Sequence, residues 1–332
     1  MCNRGKRMSR SRFLKASQPA RLIVLGFSCN NNCVVCSFGK NRGDHTTKMI
    51  QSLLRAGRKD MFESVELTGG ETIIRTDFIK LIAYSKKIGY KDIAVSTNGR
   101  LFCYKDYLKS AVKNGLNCIA FTLYGPNQKL HDAITRSPGS FSQTVKGIKN
   151  ALGHHPNVNT SVNTVVCRFN YRHINKTANF LRNLGVKTWR IIDLIPIGHA
   201  KTFYKSLEVS LNEKSSLIQK VGKTIKSFSL IQFYDFPVCL STPRLRGQKN
   251  LHFVTAQKIT TAIRQVGYNP TRITNSPENF YFDTFKTRIH ICQRCVFKKN
   301  CGGIWKASLN SNNISKIETF AANNQCLSNT TQ

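Results

Sequence analysis

The chain reads as an α/β protein: a partial (β/α)6 barrel of TIM type, built on parallel strands, followed by a small cysteine-rich C-terminal domain. Three observations carry that reading. Apolar runs of strand length alternate with helix-length amphipathic segments through the first two-thirds of the sequence. Several of those helical segments end at glycine, the residue that best adopts the left-handed turn closing a helix. Thiols gather in two sets, one just after the first strand-like run and one in the last third.

In chain order, β-branched and apolar runs predict strands at 22–27, 64–67, 93–96, 118–123, 158–166 and 189–195. Helices are expected between them at about 48–58, 77–88, 105–114, 141–152 and 171–184, with Gly89, Gly115, Gly153 and Gly185 in C-cap position. After Gly198 the alternation stops, and a Lys/Ser-rich helical stretch, about 212–227, leads away. This divides the chain into a basic tail (1–20), a core domain (21–200), a helical linker (201–235), a cysteine-rich domain (236–310) and a polar tail (311–332). In parallel α/β folds ligands gather at the C-terminal ends of the strands, so the chemistry is expected in the loops that follow them.

Composition narrows the classes. The 332 residues carry 51 Lys+Arg against 16 Asp+Glu, a formal charge of +35, with 40% hydrophobic residues. That hydrophobic content argues for a folded chain over disorder. No apolar stretch approaches the roughly 18 residues of a membrane helix. The basic residues are spread along the chain and accompanied by Asn runs, so the charge is read equally as compositional drift or as a surface for RNA, anionic lipid or an acidic peptide. The basic start followed by 22–27 is too short for the roughly 7–15-residue apolar core of a signal peptide, and a buried strand suits it better.

The strand-end loops hold the informative residues. After the first strand come Cys29, Cys33 and Cys36, spaced C-x3-C-x2-C; after the second, Gly69-Gly70-Glu71; after the third, Thr97-Asn98-Gly99; the fourth ends at Thr122. Three thiols at this spacing wrap a single centre. A [4Fe–4S] cube takes four ligands, so a three-thiol loop leaves one iron open to an exogenous ligand. Structural zinc would want a fourth Cys or His close by, and His45 is the next candidate. The glycines let backbone approach a ligand, and Glu71 offers a carboxylate to an ammonium group.

C-x3-C-x2-C after the first strand, followed by Gly-Gly-Glu after the second, resembles the radical S-adenosylmethionine (SAM) superfamily, over roughly 22–200. The pattern is most similar to its molybdenum-cofactor, PqqE and heme-maturation branch. The resemblance implies a six-repeat partial barrel whose SAM-binding [4Fe–4S] cluster is held by Cys29, Cys33 and Cys36. It also implies SAM contacts from Gly69, Gly70, Glu71, Thr97 and Thr122, from Arg168 as the basic residue after strand five, and from Ile195 packing on adenine. Many relatives carry an aromatic residue before the third cysteine; Val35 stands there and Phe38 follows Cys36.

The second set runs Cys292, Cys295 and Cys301, with Cys239 upstream and Cys326 downstream. Four of these complete a closed cluster, or alternatively a zinc site. The pattern resembles a shortened SPASM/twitch extension, which implies one auxiliary [4Fe–4S] cluster on Cys239, Cys292, Cys295 and Cys301, with Cys326 competing for the fourth place. A full module places further cysteines where Trp305 and His252 stand. Cys2, Cys103, Cys118 and Cys167 have no partners at ligand spacing. The resemblance implies an enzyme that cleaves SAM to a 5′-deoxyadenosyl radical and takes hydrogen from a peptide or protein substrate. Cofactor or heme-precursor synthesis is the first alternative, RNA modification the second, and a non-catalytic iron–sulfur or zinc protein the third. The molybdenum-cofactor enzyme itself is disfavoured by the C-terminal cysteine spacing and by the ending Thr330-Thr331-Gln332 in place of Gly-Gly. A flavodoxin or ferredoxin reductant, an acidic peptide or small-molecule substrate, no membrane partner and a reducing cytoplasm complete the expectation.

Overall fold

The computed structural model describes residues 20–38, 43–255 and 285–328. The basic tail up to residue 19, Cys2 within it, residues 256–284 of the cysteine-rich domain and the last four residues lie outside the described residues. Eight strands pair in chain order, all parallel: β1 (Ala20–Val24), β2 (Ser64–Thr68), β3 (Asp92–Thr97), β4 (Cys118–Thr122), β5 (Asn159–Val165), β6 (Thr188–Ile192), β7 (Leu230–Tyr234) and β8 (Leu251–Val254). The sheet curls into a half-barrel with β1 and β8 at its two edges.

The expected end of the alternation at Gly198 is corrected here. β7 falls inside the stretch read as a helical linker and pairs directly with β6, from Thr188–Leu230 to Ile192–Tyr234. β8 then pairs with β7. These strands are short, and polar Gln232 and His252 interrupt their apolar pattern. The reason is the sheet's two unlike faces. Val65, Leu67, Ile93, Val95, Ile119, Phe121, Val162, Trp189, Ile191, Ile231 and Phe233 share one buried core. Their alternate neighbours include Glu66, Ser96, Thr122, Asn163, Arg190 and Gln232. A parallel sheet covered on both faces reads as nearly continuous apolar sequence, so this alternation marks the inner face as one that is not packed as core.

The helices cover the apolar face. α1 (Thr47–Lys59) turns Ile50, Leu53, Leu54 and Gly57 inward, and the Thr46 side chain caps it by accepting the Met49 N–H. α2 (Phe78–Lys87) and α3 (Lys105–Lys113) follow, and Gly89 and Gly115 close them with φ of 96° and 123°. α4 (Gln128–Thr135), not expected from the sequence, is capped by Asn127 and stops at Arg136, whose φ is 50°. α5 (Ser140–His154) runs through Gly153, which is therefore not a C-cap. α6 (Ile174–Asn183) ends before Gly185 at φ 87°. α7 (His199–Thr202) and α8 (Tyr204–Leu207) are single turns; α9 (Leu211–Gly222) opens on a capping box between Ser210 and Glu213.

Beyond α10 (Pro243–Arg246) and β8, the C-terminal part has an antiparallel pair, β9 (Lys286–Thr287) with β10 (Ile304–Trp305), and α11 (Ser311–Asn323). A buried ion pair and an indole hydrogen bond fasten it to the strand ends, the latter on a carboxylate that also pairs with α9. Lys214 Nζ lies 2.7 Å from Asp193 just after β6, and the same carboxylate accepts the Trp305 indole N–H at 3.1 Å. Lys286 Nζ lies 2.9 Å from Asp235 just after β7 and 4.1 Å from the Trp305 ring centroid. No helix among the described residues is long and apolar enough to cross a membrane.

Candidate functional site

Cys29, Cys33 and Cys36 sit in the loop between β1 and α1, and hydrogen bonds from outside the loop hold its described residues at several points. The amide of Gly70 donates to Gly26 O at 2.8 Å, and that of Glu71 to Ser28 O at 2.7 Å. This contact is what the two glycines permit. A Cβ on Gly70 would stand 2.2 Å from Ser28 O, and one on Gly69, whose φ is 134°, would stand 2.4 Å from Gly26 O. The backbone they admit is that of the cysteine loop.

Two arginines complete the clamp. Arg100 Nη1 donates to Asn30 O at 2.5 Å and to Asn31 Oδ1 at 2.9 Å, while its Nε donates to Gln143 at 2.6 Å. Arg136 Nε donates to Asn32 O at 2.6 Å, and the Asn32 amide donates to Thr135 O at 2.9 Å. The Asn98 side chain donates to Asn30 Oδ1 at 2.7 Å. On the far side, the Ala200 amide donates to Cys36 O at 3.1 Å, and a Cβ on Gly198 would meet Ser37 O at 2.4 Å. Val35 packs in a small core with Tyr124, Ile134, Cys167, Leu194 and Ala200. Phe38, offset from the usual aromatic position, meets Phe27 edge-on at 5.9 Å.

Glu71 is buried and faces inward. Its carboxylate accepts the Thr97 hydroxyl at 2.6 Å, the Asn98 amide at 2.6 Å and the Ile73 amide at 3.2 Å. Burial raises its pKa to about 7, against the lowering pull of those hydrogen bonds. Glu71 thereby bolts the end of β2 to the end of β3. Thr122 ends β4 on the sheet's inner face, half-buried. Ile195 lies half-buried in the segment between β6 and α7. Arg168 is placed differently: its guanidinium pairs with Glu213 at 2.6 Å and lies over the Tyr171 ring at 5.2 Å. The structure thus gathers Gly69, Gly70, Glu71 and Thr97 against the cysteine loop and directs Arg168 toward α9. Arg100, Arg136 and Asn98 were missed by sequence reasoning; the left-handed φ of Arg136 was the one local oddity, and it is invisible without coordinates.

The thiols fit an iron–sulfur centre. Loss of solvent raises Cys29 to about 11, with the charges of Glu71 and Cys36 adding to it. Burial raises Cys33 to about 12, with Cys29 and Cys36 adding. A cationic core at their midst is what turns such mutually repelling thiols into thiolates.

Cys239, Cys292, Cys295 and Cys301 all line one cavity, with Pro237, Arg288 and Ile304 among its walls. Burial raises Cys239 well above its ordinary value, and Cys301, Cys326, Cys292 and Cys295 push it the same way. Cys301 Sγ accepts the amides of Val238 and Gly303, each at 3.5 Å. Cys326 is fully buried next to Cys295 but does not line the cavity; its thiol points to Asn324 O at 3.6 Å. Among the described residues no three Cys, His, Asp or Glu side chains converge closely enough for one ion. A cluster asks for something else, since its thiolates bind separate irons. Cys103, Cys118 and Cys167 are buried as small apolar groups.

Comparison with known proteins agrees with this geometry. Residues 23–181 match the model of the Radical SAM superfamily. A probable GTP 3′,8-cyclase of Saccharolobus solfataricus is 31% identical over 205 residues, covering 60% of this chain and 64% of that protein. One from Sulfolobus acidocaldarius is 29% identical over 208 residues, covering 59% and 64%. The chain thus spans just under two-thirds of the length of these relatives. In structure it is similar to native anSMEcpe with bound AdoMet (TM-score 0.63, 13% identity, 92% of this chain and 98% of that one). It is also similar to Streptococcus suis SuiB bound to S-adenosylmethionine (TM-score 0.58, 17% identity, 87% and 73%). The radical SAM match over residues 23–181, just under half of the chain, thus falls on the half-barrel sheet and its strand-end cysteine loop.

Proposed function

We propose that this chain is a radical SAM enzyme in which Cys29, Cys33 and Cys36 hold three irons of a [4Fe–4S] cluster and SAM takes the fourth. The observation that carries the reading is a three-thiol loop clamped against Gly69-Gly70-Glu71 at the strand ends. Loaded with cluster and SAM, the site supplies the electron that cleaves SAM to a 5′-deoxyadenosyl radical. The chain's own residues do the positioning. Glu71 fixes the ends of β2 and β3, and Thr97 and Asn98 sit on that carboxylate. Thr122 at the end of β4 and Ile195 after β6 are the further candidates for SAM contacts. A second cluster on Cys239, Cys292, Cys295 and Cys301 is supported by their shared cavity, with Cys326 as a buried neighbour. Oxygen-labile clusters and their flavodoxin- or ferredoxin-like reductant suit a reducing cytoplasm.

For the substrate we put small-molecule cofactor-precursor chemistry ahead of peptide modification, which the sequence had put first. The relatives near 30% identity are named for a reaction on GTP, whereas likeness to SuiB and anSMEcpe at 13–17% identity speaks for the fold alone. The test is 5′-deoxyadenosine release from anaerobically reconstituted, reduced protein. Stimulation by GTP or related small anions carries the reading; stimulation by acidic peptides alone returns it to peptide modification.

A further inference from the structure

The short helices α7 and α8 have two unlike sides. Ala200, Tyr204 and Leu207 are buried in one small core with Val35 of the cysteine loop, and Cys33 and Val34 pack against that core. The Ala200 amide donates to Cys36 O at 3.1 Å, and the Tyr204 hydroxyl shares a 2.8 Å hydrogen bond with Ser308, just past β10. Lys201, Phe203 and Lys205 lie between these buried residues and are exposed. They form one side of a surface groove of about 540 Å³, to which Pro196, Phe285 and Lys306 also belong. Lys306 directly follows β10, whose Ile304 lines the cavity of the second cysteine set. The groove therefore lies one packed layer outside the three-thiol loop and borders the strand that walls the second cavity.

The chemistry of the groove is one-sided. Lys201, Lys205 and Lys306 carry its charge, and among the described residues no Asp or Glu lines it. Its apolar part is aromatic, and Phe203 is left 42% exposed there. Leu309, also 42% exposed, stands at its edge, with its amide donating to Lys306 O at 3.0 Å. An exposed apolar patch bordered by like charges has the layout of a protein-docking surface, and lysines favour a partner that brings carboxylates. The position decides what that partner delivers. Hydrogen abstraction needs contact between the reacting atoms, and a substrate held in this groove is separated from the cysteine loop by α7 and α8. An electron needs no such contact and crosses a packed layer of side chains.

We propose that this groove is where the electron donor docks, and that the donor is a small acidic one-electron carrier protein. The inference rests on the radical SAM reading, which needs such a donor. One electron leaves the carrier's reduced redox group, which is oxidised, and an oxidised cluster of this chain is reduced by it. No bond forms or breaks, and no proton passes between the two proteins. Lys201, Lys205 and Lys306 steer the carrier's carboxylates, and Phe203 packs on the apolar surface around its redox group.

The test pairs binding with two ways of supplying electrons. The reconstituted protein is titrated calorimetrically with a flavodoxin and with a ferredoxin, and 5′-deoxyadenosine release is timed with the reduced carrier or with dithionite. At least one carrier binds wild type, and more weakly as salt rises. Reversing the three lysines together (Lys201→Glu, Lys205→Glu, Lys306→Glu) weakens that binding about tenfold or more, and Phe203→Ala weakens it about fivefold. The corresponding Gln triple falls between wild type and the Glu triple, because it removes charge without reversing it. Carrier-driven release slows in step at limiting carrier, while dithionite-driven release stays within about twofold, which also shows that the variants are folded and loaded. Four results overturn the proposal: neither carrier bound by wild type, a carrier that binds wild type and the Glu triple alike, dithionite-driven release falling in step in both triples, or an acidic peptide or RNA losing affinity in the triples where the carriers do not. Carrier binding that depends on the lysines, with no release from either electron source, would instead refute the radical SAM reading and leave the docking surface standing.

Discussion

Cys29, Cys33 and Cys36 lie on one short loop, with Cys29 exposed, whereas Cys239, Cys292, Cys295 and Cys301 come from two distant stretches and close around a cavity. The first set is held by hydrogen bonds from outside the loop: Gly70, Glu71, Arg100, Arg136 and Ala200 each fix one of its backbone groups or side chains. The second lines a shared cavity, and its enclosing segment is anchored by Trp305 on Asp193 and by Lys286 on Asp235. A loop held at several points, with Cys29 exposed, keeps a place for an exogenous ligand. A cavity that supplies four thiols to a cube leaves none. Under the proposed function, the difference assigns chemistry to the first site and structure or electron supply to the second.

The contrast breaks most sharply on iron content. Replacing Cys29, Cys33 and Cys36 together with Ala removes about four of about eight irons per chain and leaves the second cluster's absorbance. Cys239→Ala removes the other four, whereas Cys326→Ala keeps all eight and costs about 1 kcal/mol of stability. Equal iron loss in Cys239→Ala and Cys326→Ala would make Cys326 a ligand.

The next largest effect is on the anchor of the second site. Lys214→Met leaves the Asp193 carboxylate buried without its cation, and breaking such a pair costs about 3–5 kcal/mol. Denaturant midpoints measure it. A loss under about 1 kcal/mol would mean that this pair does not hold the end of β6 to α9.

Much of this was legible in the sequence, for physical reasons. The first six strands announced themselves because their outward residues pack as core and helix-length segments separate them. β7 and β8 did not, because Gln232 and His252 belong to a polar inner face that breaks the apolar pattern. α4 was hidden by its shortness, since its signals are an Asn127 cap and a stop at Arg136. The cysteines were readable because ligand spacing is local. The clamp was not: Arg100 reaches Asn30 across 70 positions and Arg136 reaches Asn32 across 104. No local pattern encodes such a contact. Glu71 was legible as a site residue, yet its hydrogen bonds run to Thr97, Asn98 and Ile73.

That bolt has a pH signature. The folded chain raises Glu71 from an ordinary 4.5 to about 7, so between those values the native state binds more protons than the unfolded one. Stability therefore falls as pH rises through this window. Glu71→Gln flattens that part of the profile, read as urea midpoints between pH 5 and 8; an unchanged slope would place the raised carboxylate elsewhere. The smallest effect belongs to Arg168. Its partly exposed pair with Glu213 is worth about 0.2–1 kcal/mol, so Arg168→Ala trims stability by no more than that and leaves SAM affinity unchanged. Weakened SAM binding would turn Arg168 back toward the SAM carboxylate.

The central claim is that the three-thiol loop carries the reactive site. Its most direct test is 5′-deoxyadenosine formation from SAM by the anaerobically reconstituted, chemically reduced protein, compared between wild type, Cys33→Ala and Cys239→Ala. The account predicts product from wild type, none from Cys33→Ala, and retained product from Cys239→Ala under a strong reductant. No product from iron-replete wild type under any reductant, or equal product from Cys33→Ala, would contradict it.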